Sequence, residues 1–444
     1  MMQKKRTEEG QVMILLVLAL VGLFAFAALA IDGGMIYSDR RIAQNAADAS
    51  SMSGVGAAGQ EVQWIVKSSW NCASSEVINA QATAVAEAIS SAGVNDYTID
   101  ADISDDHGVT TVCSDGTDKY LDVVVDITDQ TESTFAHLFF NGPLVNTVES
   151  VARLHPRFPV AEGFNIISLT DDCGPDKGTS LNGGPVIVLT GGGGMFSNSC
   201  FICSGGGTGS LTGDSVFYYN TLTCPNMDLN VPTIEQATDK LQPVIDIDGA
   251  CDGMAAGTET NVNMGGGVND ITLTPGSYNS ISVTDSKDMM HLDPGLYCVS
   301  GPVKVLGNLF EGTGVTIALL GTSNPDGFTT AADTLVQLSA APADCEMPST
   351  PSCNGAIGGL LIWVHPDNSS VIKLTGTADS YYDGTVYGAN NEIQIGGDAG
   401  VGSSIDYGAQ LIGDTIKISG SSTININYDE TLFYHTRAKL EVAK

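Results

Sequence analysis

The strongest hydrophobic pattern in the chain lies near its N-terminus, where an apolar run extends from Val12 to Ile31. About twenty helical residues, each rising about 1.5 Å, span roughly 30 Å, the thickness of a bilayer's hydrocarbon core. The run is longer than the apolar core of a cleaved signal peptide. The pattern therefore predicts a transmembrane helix over residues 11–31, preceded by a short segment at 1–10.

Beyond Asp32 the apolar run gives way to small residues at helical spacing, so the helix is predicted to continue to about residue 60. Small residues three and four apart define one face: Ala43, Ala46, Ala47, Ser50, Ser53, Gly54 and Ala57. Such a face allows another backbone to approach closely. The alternative is an alanine-rich helix that has no special partner.

Charges on either side of the apolar run predict its orientation in a membrane. Lys4, Lys5 and Arg6 precede it, which favours a cytoplasmic N-terminus. Arg40 and Arg41 follow it and weaken this bias without reversing it. We therefore expect a single-pass protein of the cell membrane, with residues 32–444 outside the cytoplasm.

The stretch from Gly10 to Ala49 resembles the TadG-like proteins of Tad/Flp pilus-assembly systems. Three features at fixed spacing carry the resemblance: Gly10-Gln11-Val12, Ala30-Ile31-Asp32-Gly33-Gly34, and Arg40-Arg41 followed by Gln44-Asn45-Ala46-Ala47-Asp48-Ala49. The resemblance implies a role in a pilus. In one respect the chain departs from processed pilins, because the fifth residue after Gly10 is Leu15 where they carry Glu. An uncut anchor and a filament subunit cleaved after Gly10 both remain open.

The pattern of residues 32–156 predicts a pilin-like α+β domain, in which the long helix packs on a small antiparallel sheet. Helical spacing at 76–91 indicates a second helix. Alternation predicts strands at 97–103, 120–127 and 146–154. A short helix is expected at 134–140, and it includes His137 as a structural residue.

Residues 157–444 show short strands and recurring phrases instead of helical periodicity. Leu273-Thr274-Pro275-Gly276-Ser277-Tyr278 returns as Leu292-Asp293-Pro294-Gly295-Leu296-Tyr297, and an apolar-x-apolar-x-Gly phrase begins at Val303, Ile372, Ile393 and Ile416. Strands at intervals of about twenty residues are typical of a parallel β-helix, or β-solenoid. A β-sandwich is the alternative. Residues 431–444 are predicted to cap the last coil with Leu432, Phe433 and Leu440.

Charge and cysteine content narrow the possible partners and compartment. The chain has 18 Lys plus Arg against 51 Asp plus Glu, a net charge of −33, so no nucleic-acid partner is expected. Ten cysteines follow the apolar run, which predicts disulfides in an oxidising compartment. Cys72–Cys113 and Cys345–Cys353 are the expected pairs. The CxxC spacing of Cys200 and Cys203 has no second Cys or His pair and predicts neither a zinc site nor a redox site.

No catalytic, cofactor-binding or metal-binding residues are predicted, and the chain is not expected to be an enzyme. Asp171-Asp172 and Asp246 with Asp248 are the carboxylates that could be nominated for glycoside hydrolysis, in a chain rich in acids. Asp246 to Gly249 and Asp252-Gly253 resemble a calcium loop only faintly, since the required Glu and spacing are missing.

The predicted function is a structural or accessory component of a Tad/Flp-type pilus or surface appendage, which anchors an exported β-solenoid for assembly or adhesion. Membrane lipid and other pilus-assembly or pilin-like proteins, contacted through the N-terminal helix, are the expected partners. Two alternatives remain: a filament-forming subunit packed through that helix, and a carbohydrate-binding or carbohydrate-active surface protein. For a surface polysaccharide the best aromatic candidates are Tyr218-Tyr219 and Tyr381-Tyr382.

Overall fold

The chain divides into two compact units, unit 1 at Met1–Arg157 with Arg437–Lys444 and unit 2 at Phe158–Thr436. The structure is a computed structural model. It describes residues 9–104, 106–135, 142–161, 163–205, 209–247, 249–257, 261–321, 326–345, 353–396, 404–420 and 423–443.

Unit 1 contains two helices and an antiparallel sheet, whose strands are numbered along the whole chain. The elements are α1 (Glu9–Glu61), a 3-10 turn (Lys67–Ser69), α2 (Ser75–Val94), β1 (Gly108–Asp115), β2 (Lys119–Thr131), β3 (Leu144–His155) and β30 (Lys439–Val442). The sheet order is β1-β2-β3-β30. Ser74 begins α2 by accepting a hydrogen bond from the Val77 N–H. The inner face of α2 consists of Val77, Ala80, Ala84, Ala88 and Ala92, three and four residues apart.

Three elements predicted in unit 1 agree with the sequence pattern, and one predicted strand does not. The helix predicted at 76–91 and the strands predicted at 120–127 and 146–154 correspond to α2, β2 and β3. The strand predicted at 97–103 is wrong: Ile99 is buried, but its backbone belongs to a connection, and the edge strand is β1. Most of the helix predicted at 134–140, including His137, lies outside the described residues.

The cap predicted at the C-terminus is wrong for Leu440. This residue lies on β30 and pairs with Leu154 of β3, because the alternating Lys-Leu-Glu-Val segment completes the edge of the antiparallel sheet. Phe433 is fully buried in unit 2, where its ring lies 5.1 Å from that of Tyr428.

Unit 2 is built almost entirely of short strands in one parallel sheet. The first run is β4 (Ile166–Ser168), β5 (Thr179–Asn182), β6 (Val186–Thr190), β7 (Met195–Ser197), β8 (Phe201–Ser204), β9 (Gly209–Thr212), β10 (Val216–Tyr218), β11 (Leu222–Thr223), β12 (Met227–Asn230) and β13 (Ile234–Gln236). The second run is β14 (Asn261–Met264), β15 (Asp270–Leu273), β16 (Gly276–Tyr278), β17 (Ser280–Val283), β18 (Met289–Leu292), β19 (Gly295–Val299), β20 (Val303–Val305), β21 (Leu309–Thr313), β22 (Val315–Leu319), β23 (Asp326–Thr330), β24 (Leu335–Ser339), β25 (Leu360–Val364), β26 (Val371–Leu374), β27 (Tyr381–Gly396), β28 (Ser404–Ser419) and β29 (Thr423–Asn427), followed by a 3-10 turn (Glu430–Leu432).

In general each strand pairs with the strand three places along the chain, so the strands form three columns. Column A runs β14-β17-β20-β23-β26-β27-β28-β5-β8-β11. Column B runs β15-β18-β21-β24-β27-β28-β29-β6-β9-β12. Column C runs β16-β19-β22-β25-β27-β28-β4-β7-β10-β13. The long strands β27 and β28 contribute to all three columns.

The order of strands in the columns differs from their order in the chain. The strands nearest the start of unit 2, β4 to β6, pair with β28 and β29 near its end. The segment 237–257 therefore connects β13 and β14, which lie at opposite ends of the columns. It lies over column C, where the Trp363 indole N–H donates to the Ile245 carbonyl at 2.9 Å and Cys251 is bonded to Cys298.

Both recurring phrases have a structural role. Ile372, Ile393 and Ile416 stack in register in column A and point inward. The tyrosines that close the Pro-Gly-x-Tyr phrases also enter the interior, where Tyr278 donates to the Thr274 carbonyl at 2.5 Å and Tyr297 to the Asp293 carbonyl at 2.7 Å. Each tyrosine hydroxyl thus donates a hydrogen bond to the backbone carbonyl four residues earlier. Burial raises the pKa of Tyr297.

One carboxylate in column B is expected to make stability depend on pH. Burial raises the pKa of Asp383 from near 3.8 to about 6, with Asp406 and Asp429 adding to the effect and the Gly408 N–H opposing it. Because the folded state holds this proton more tightly, stability falls as pH rises from about 4 to about 6. We expect Asp383→Asn to unfold at a higher temperature than wild type at pH 7.5 and at a similar temperature below pH 4. Equal melting temperatures at pH 7.5 would contradict this.

Candidate anchor and assembly site

The first part of α1 is apolar and exposed to its surroundings. From Met13 to Ile31 almost every large side chain faces outward, and Phe26 and Leu29 are 76% and 71% exposed. Among the described residues, one helix is long and apolar enough to cross a membrane, and this segment supplies its apolar part. We call residues 13–31 the stem. Burial of apolar surface stabilises by about 25 cal/mol per Å², so the stem is suited to an apolar medium.

Asp32 ends the stem and joins it to the rest of unit 1. Its carboxylate is 6% exposed and accepts hydrogen bonds from the backbone N–H groups of Thr134 at 2.8 Å and Phe135 at 3.0 Å. About two helical turns after Asp32, Asp39 accepts a hydrogen bond from the Thr131 hydroxyl at 2.7 Å. Burial raises the pKa of Tyr97, and the charges of Asp129 and Asp39 add to this effect. Two aspartates on α1 therefore hold the end of β2 and the segment that follows it.

We expect Asp32→Ala to loosen this junction. The substitution leaves two backbone N–H groups without their acceptor, at a cost of about 1–3 kcal/mol for each group that stays buried. Hydrogen exchange of the Thr134 and Phe135 amides should become faster, while exchange in α2 stays as in wild type. Asp32→Asn keeps one carbonyl oxygen and should show a smaller change. Unchanged exchange in the alanine variant would show that Asp32 does not hold this segment.

The small-residue face of α1 packs within the chain. Ala43, Ala46, Ala47, Ser50 and Gly54 are buried against α2, β2 and β3, and Ser53 and Ala57 are half-buried. At Gly54 an added Cβ would lie only 2.7 Å from the Ala84 carbonyl oxygen, so the helices come very close there. The close backbone approach expected from the spacing is thus made by α2. The small-residue face of α1 is therefore covered within unit 1.

The polar residues of the same stretch also dock α1 on the sheet. Gln44 donates to the Asp48 carboxylate at 2.8 Å and to the Glu149 carbonyl at 3.3 Å. The hydroxyls of Ser51 and Ser150 are 2.9 Å apart. The part of this stretch that remains exposed is the opposite face of α1: Tyr37, Arg40, Arg41, Ile42, Asn45 and Ala49.

All ten cysteines are paired, and the two expected pairs, Cys72–Cys113 and Cys345–Cys353, are confirmed. The two cysteines of the CxxC phrase bond to different partners, Cys200 to Cys173 and Cys203 to Cys224. Cys203 and Cys224 follow the paired residues Ile202 and Thr223 on adjacent strands of column A. The CxxC spacing therefore reflects two separate cross-links, one between neighbouring strands and one from Cys200 to the connection between β4 and β5.

Of the carboxylates nominated from sequence, the described ones Asp171 and Asp172 have separate partners. The Asp171 carboxylate binds the Lys240 ammonium at 2.7 Å, and Asp172 accepts a hydrogen bond from the Gly174 N–H. Asp246 is exposed, and Asp248 lies outside the described residues. In the described part of the chain, no three His, Cys, Asp or Glu side chains are grouped as metal ligands.

The aromatic candidates do not form a common surface. The ring of Tyr382 is fully buried and stacks on that of Tyr407 at 5.5 Å, while Tyr381 faces outward and is half-buried. The Lys240 ammonium lies 4.8 Å from the centre of the Tyr219 ring. As expected from strand alternation, only one residue of the pair Tyr381-Tyr382 lies on the outside.

A family model covers the stem, the Asp32 junction and the docked helix. Residues 10–58 match the Flp pilus-assembly TadE/G-like family model, so the N-terminal part of this chain is similar to that domain. A solved structure is also matched, that of the competence-associated pilin ComZ from Thermus thermophilus. It is 7% identical, covers 77% of this chain and 88% of that chain, and has a TM-score of 0.23, which is too low to support an argument. The comparison with curated proteins gave no match.

These findings support a pilus-related component whose N-terminal domain fits a location in the cell envelope.

Proposed function

We propose that this protein is a membrane-anchored structural or accessory component of a Tad/Flp-type pilus or surface appendage. The observation that carries the proposal is the TadE/G-like domain at residues 10–58, whose stem presents apolar side chains outward while the helix beyond Asp32 is docked on its own domain. The stem would cross the membrane once. Residues 1–10 would then be cytoplasmic and residues 32–444 extracytoplasmic.

We further infer that unit 2 is a β-solenoid with the architecture of a right-handed parallel β-helix, exported for assembly or adhesion. Its three columns of parallel strands support this, since a repeating three-strand turn stacks its inward side chains on those of the next turn. Crossover connections between parallel strands are right-handed in nearly all proteins, which supports the handedness. The role is structural and not catalytic, in keeping with the pilus-assembly domain.

A filament subunit cleaved after Gly10 is the second candidate. It is favoured by the exposed stem, the one long apolar surface of α1 that is not covered by unit 1. In such a filament the stems of neighbouring copies would pack together, because α2 and the sheet already cover the small-residue face.

Membrane fractionation with N-terminal sequencing separates the two candidates. For an anchored component we expect the chain in the membrane fraction with its original N-terminus, and cross-linking to pilus proteins through residues of the outer α1 face such as Tyr37. Recovery of a chain that begins at Gln11 from sheared filaments would overturn the anchored role in favour of the subunit. Recovery only from the soluble fraction would overturn both.

A further inference from the structure

A row of lysines runs along the outside of column A in unit 2. Lys304 lies on β20, Lys373 on β26 and Lys417 on β28, each between two inward apolar residues. The register aligns Lys304 with Thr329, Thr329 with Lys373, Lys373 with Gln394 and Gln394 with Lys417. Neighbouring strands are about 4.8 Å apart, so a lysine recurs about every 9.6 Å. We call this column of outward positions the lysine row.

Uncharged polar residues extend the row at one end. The position beyond Lys417 is Ser180, which is only 1% exposed and does not belong to the accessible row. Beyond Lys304 the aligned positions are Ser282 and then Asn263. Together with Thr329 and Gln394, these residues provide hydroxyl and amide groups between and beside the ammonium groups. The row thus combines regularly spaced positive charge with hydrogen-bonding groups that could contact sugar hydroxyls.

The other two columns do not share this character. The outward positions of column B include Asp270, Glu311, Asp383 and Asp406, together with His291, which contacts Asp270 and Glu311. The strand segments that pair within column B contain neither Lys nor Arg. Column C is overlaid by the segment 237–257. Three of the six lysines of unit 2 lie in the row, in a chain whose net charge is −33. Half of the lysines of unit 2 therefore lie in one row on column A.

We propose that the lysine row binds an extended acidic polysaccharide that lies along column A. In a two-fold uronate ribbon every second carboxylate projects to the same side, so successive carboxylates of that side can meet Lys304, Lys373 and Lys417 in turn. The sugar hydroxyls between them face Thr329 and Gln394. A nucleic acid fits less well, because along each duplex strand its phosphates recur about every 3.4 Å of helix axis, much closer than the lysines of the row.

Two carboxylates border the row and weaken its positive potential. Glu392 lies on the same strand as Gln394 and accepts a hydrogen bond from its side-chain amide. The Asp176 carboxylate is 3.7 Å from the Lys417 ammonium. Neutralising Glu392 should therefore strengthen binding of a polyanion, whereas a merely structural row would not respond. This proposal does not depend on the pilus-related role of the N-terminal domain.

The test measures binding of alginate oligomers rich in mannuronate to the full chain in detergent micelles, with EDTA present. We expect Lys304→Gln/Lys373→Gln/Lys417→Gln to weaken binding about tenfold or more, since three charge contacts are lost together. The control Lys67→Gln/Lys240→Gln/Lys439→Gln removes the same charge outside the row and should change affinity less than about twofold. Glu392→Gln should tighten binding, and high salt should weaken it in all variants.

Four results would each overturn the proposal: no binding of alginate by wild type, equal losses in both triple variants, equal binding of a neutral β-1,4-mannan of the same length, or tighter binding of duplex DNA. Self-association of the chain that disappears in the row variant would instead identify the row as a contact between copies.

Circular dichroism checks the fold of each variant. Lys373→Gln alone, at an exposed position, should weaken binding about twofold to threefold if the triple variant does not fold.

Discussion

Leu20→Arg/Phe24→Arg is expected to remove the chain from the membrane fraction. Both side chains belong to the middle of the stem and point outward, with exposures of 46% and 66%. Arginine at the centre of a transmembrane helix costs about 2.5–3.5 kcal/mol on insertion scales, and the two substitutions lie on one helix face. Carbonate extraction of membranes should recover wild type in the pellet and the variant in the supernatant or as degraded protein.

The matched control is Asn45→Arg/Ala49→Arg. These positions have the same four-residue spacing on α1, but they lie beyond Asp32 on its exposed outer face. The control should remain in the pellet. If the stem variant also stayed in the pellet, the stem would not be the membrane anchor, and attachment would have to come from another part of the chain.

Gly54→Ala and Gly56→Ala are expected to change stability in opposite directions, although they lie two residues apart on one helix. At Gly54 the new methyl would sit 2.7 Å from the Ala84 carbonyl oxygen and 3.1 Å from the Ala88 Cβ, so α1 and α2 must separate. Overpacking of this kind costs about 1–3 kcal/mol. At Gly56 no atom lies within 4 Å, and replacing a helical glycine stabilises by about 0.5–1 kcal/mol.

Thermal unfolding followed by circular dichroism measures both effects in the full chain. Gly56→Ala serves as the control for Gly54→Ala, because the helix-propensity gain is common to both. A stabilised Gly54→Ala would show that the close packing of α1 on α2 does not form in solution. A destabilised Gly56→Ala would instead indicate that the exposed side of α1 is packed against another molecule.

The hydrophobic pattern of the sequence predicts secondary structure to a different extent in the two units. In unit 1 the periodicity of α2 and the alternation of β2 and β3 come from local burial, so they could be predicted. Residues 97–103 also alternate, but alternation records which side chains are buried and not whether the backbone finds a strand partner. The short phrases of unit 2 predicted parallel stacking for the same local reason, since Ile372, Ile393 and Ile416 repeat one inward pattern.

The candidate site was predicted in part. The stem and the small residues after Asp32 are visible as composition and spacing. The partner of that small-residue face is not visible, because spacing shows that a backbone can approach and does not say which one. Lys304, Lys373 and Lys417 occupy the second position of the phrases that begin at Val303, Ile372 and Ile416, but only the strand register shows that they align on one face.

The sequence alone determined the apolar stem, the similarity of residues 10–58 to a pilus-assembly domain, and the repeating strands of unit 2. These properties depend on composition and local periodicity. The tertiary structure alone decided that α2 covers the small-residue face, that Lys439–Val442 completes the sheet of unit 1, and that β4 to β6 stack beyond β28 and β29. Each of these is a choice among chemically similar partners, and it depends on which surfaces meet when the whole chain folds.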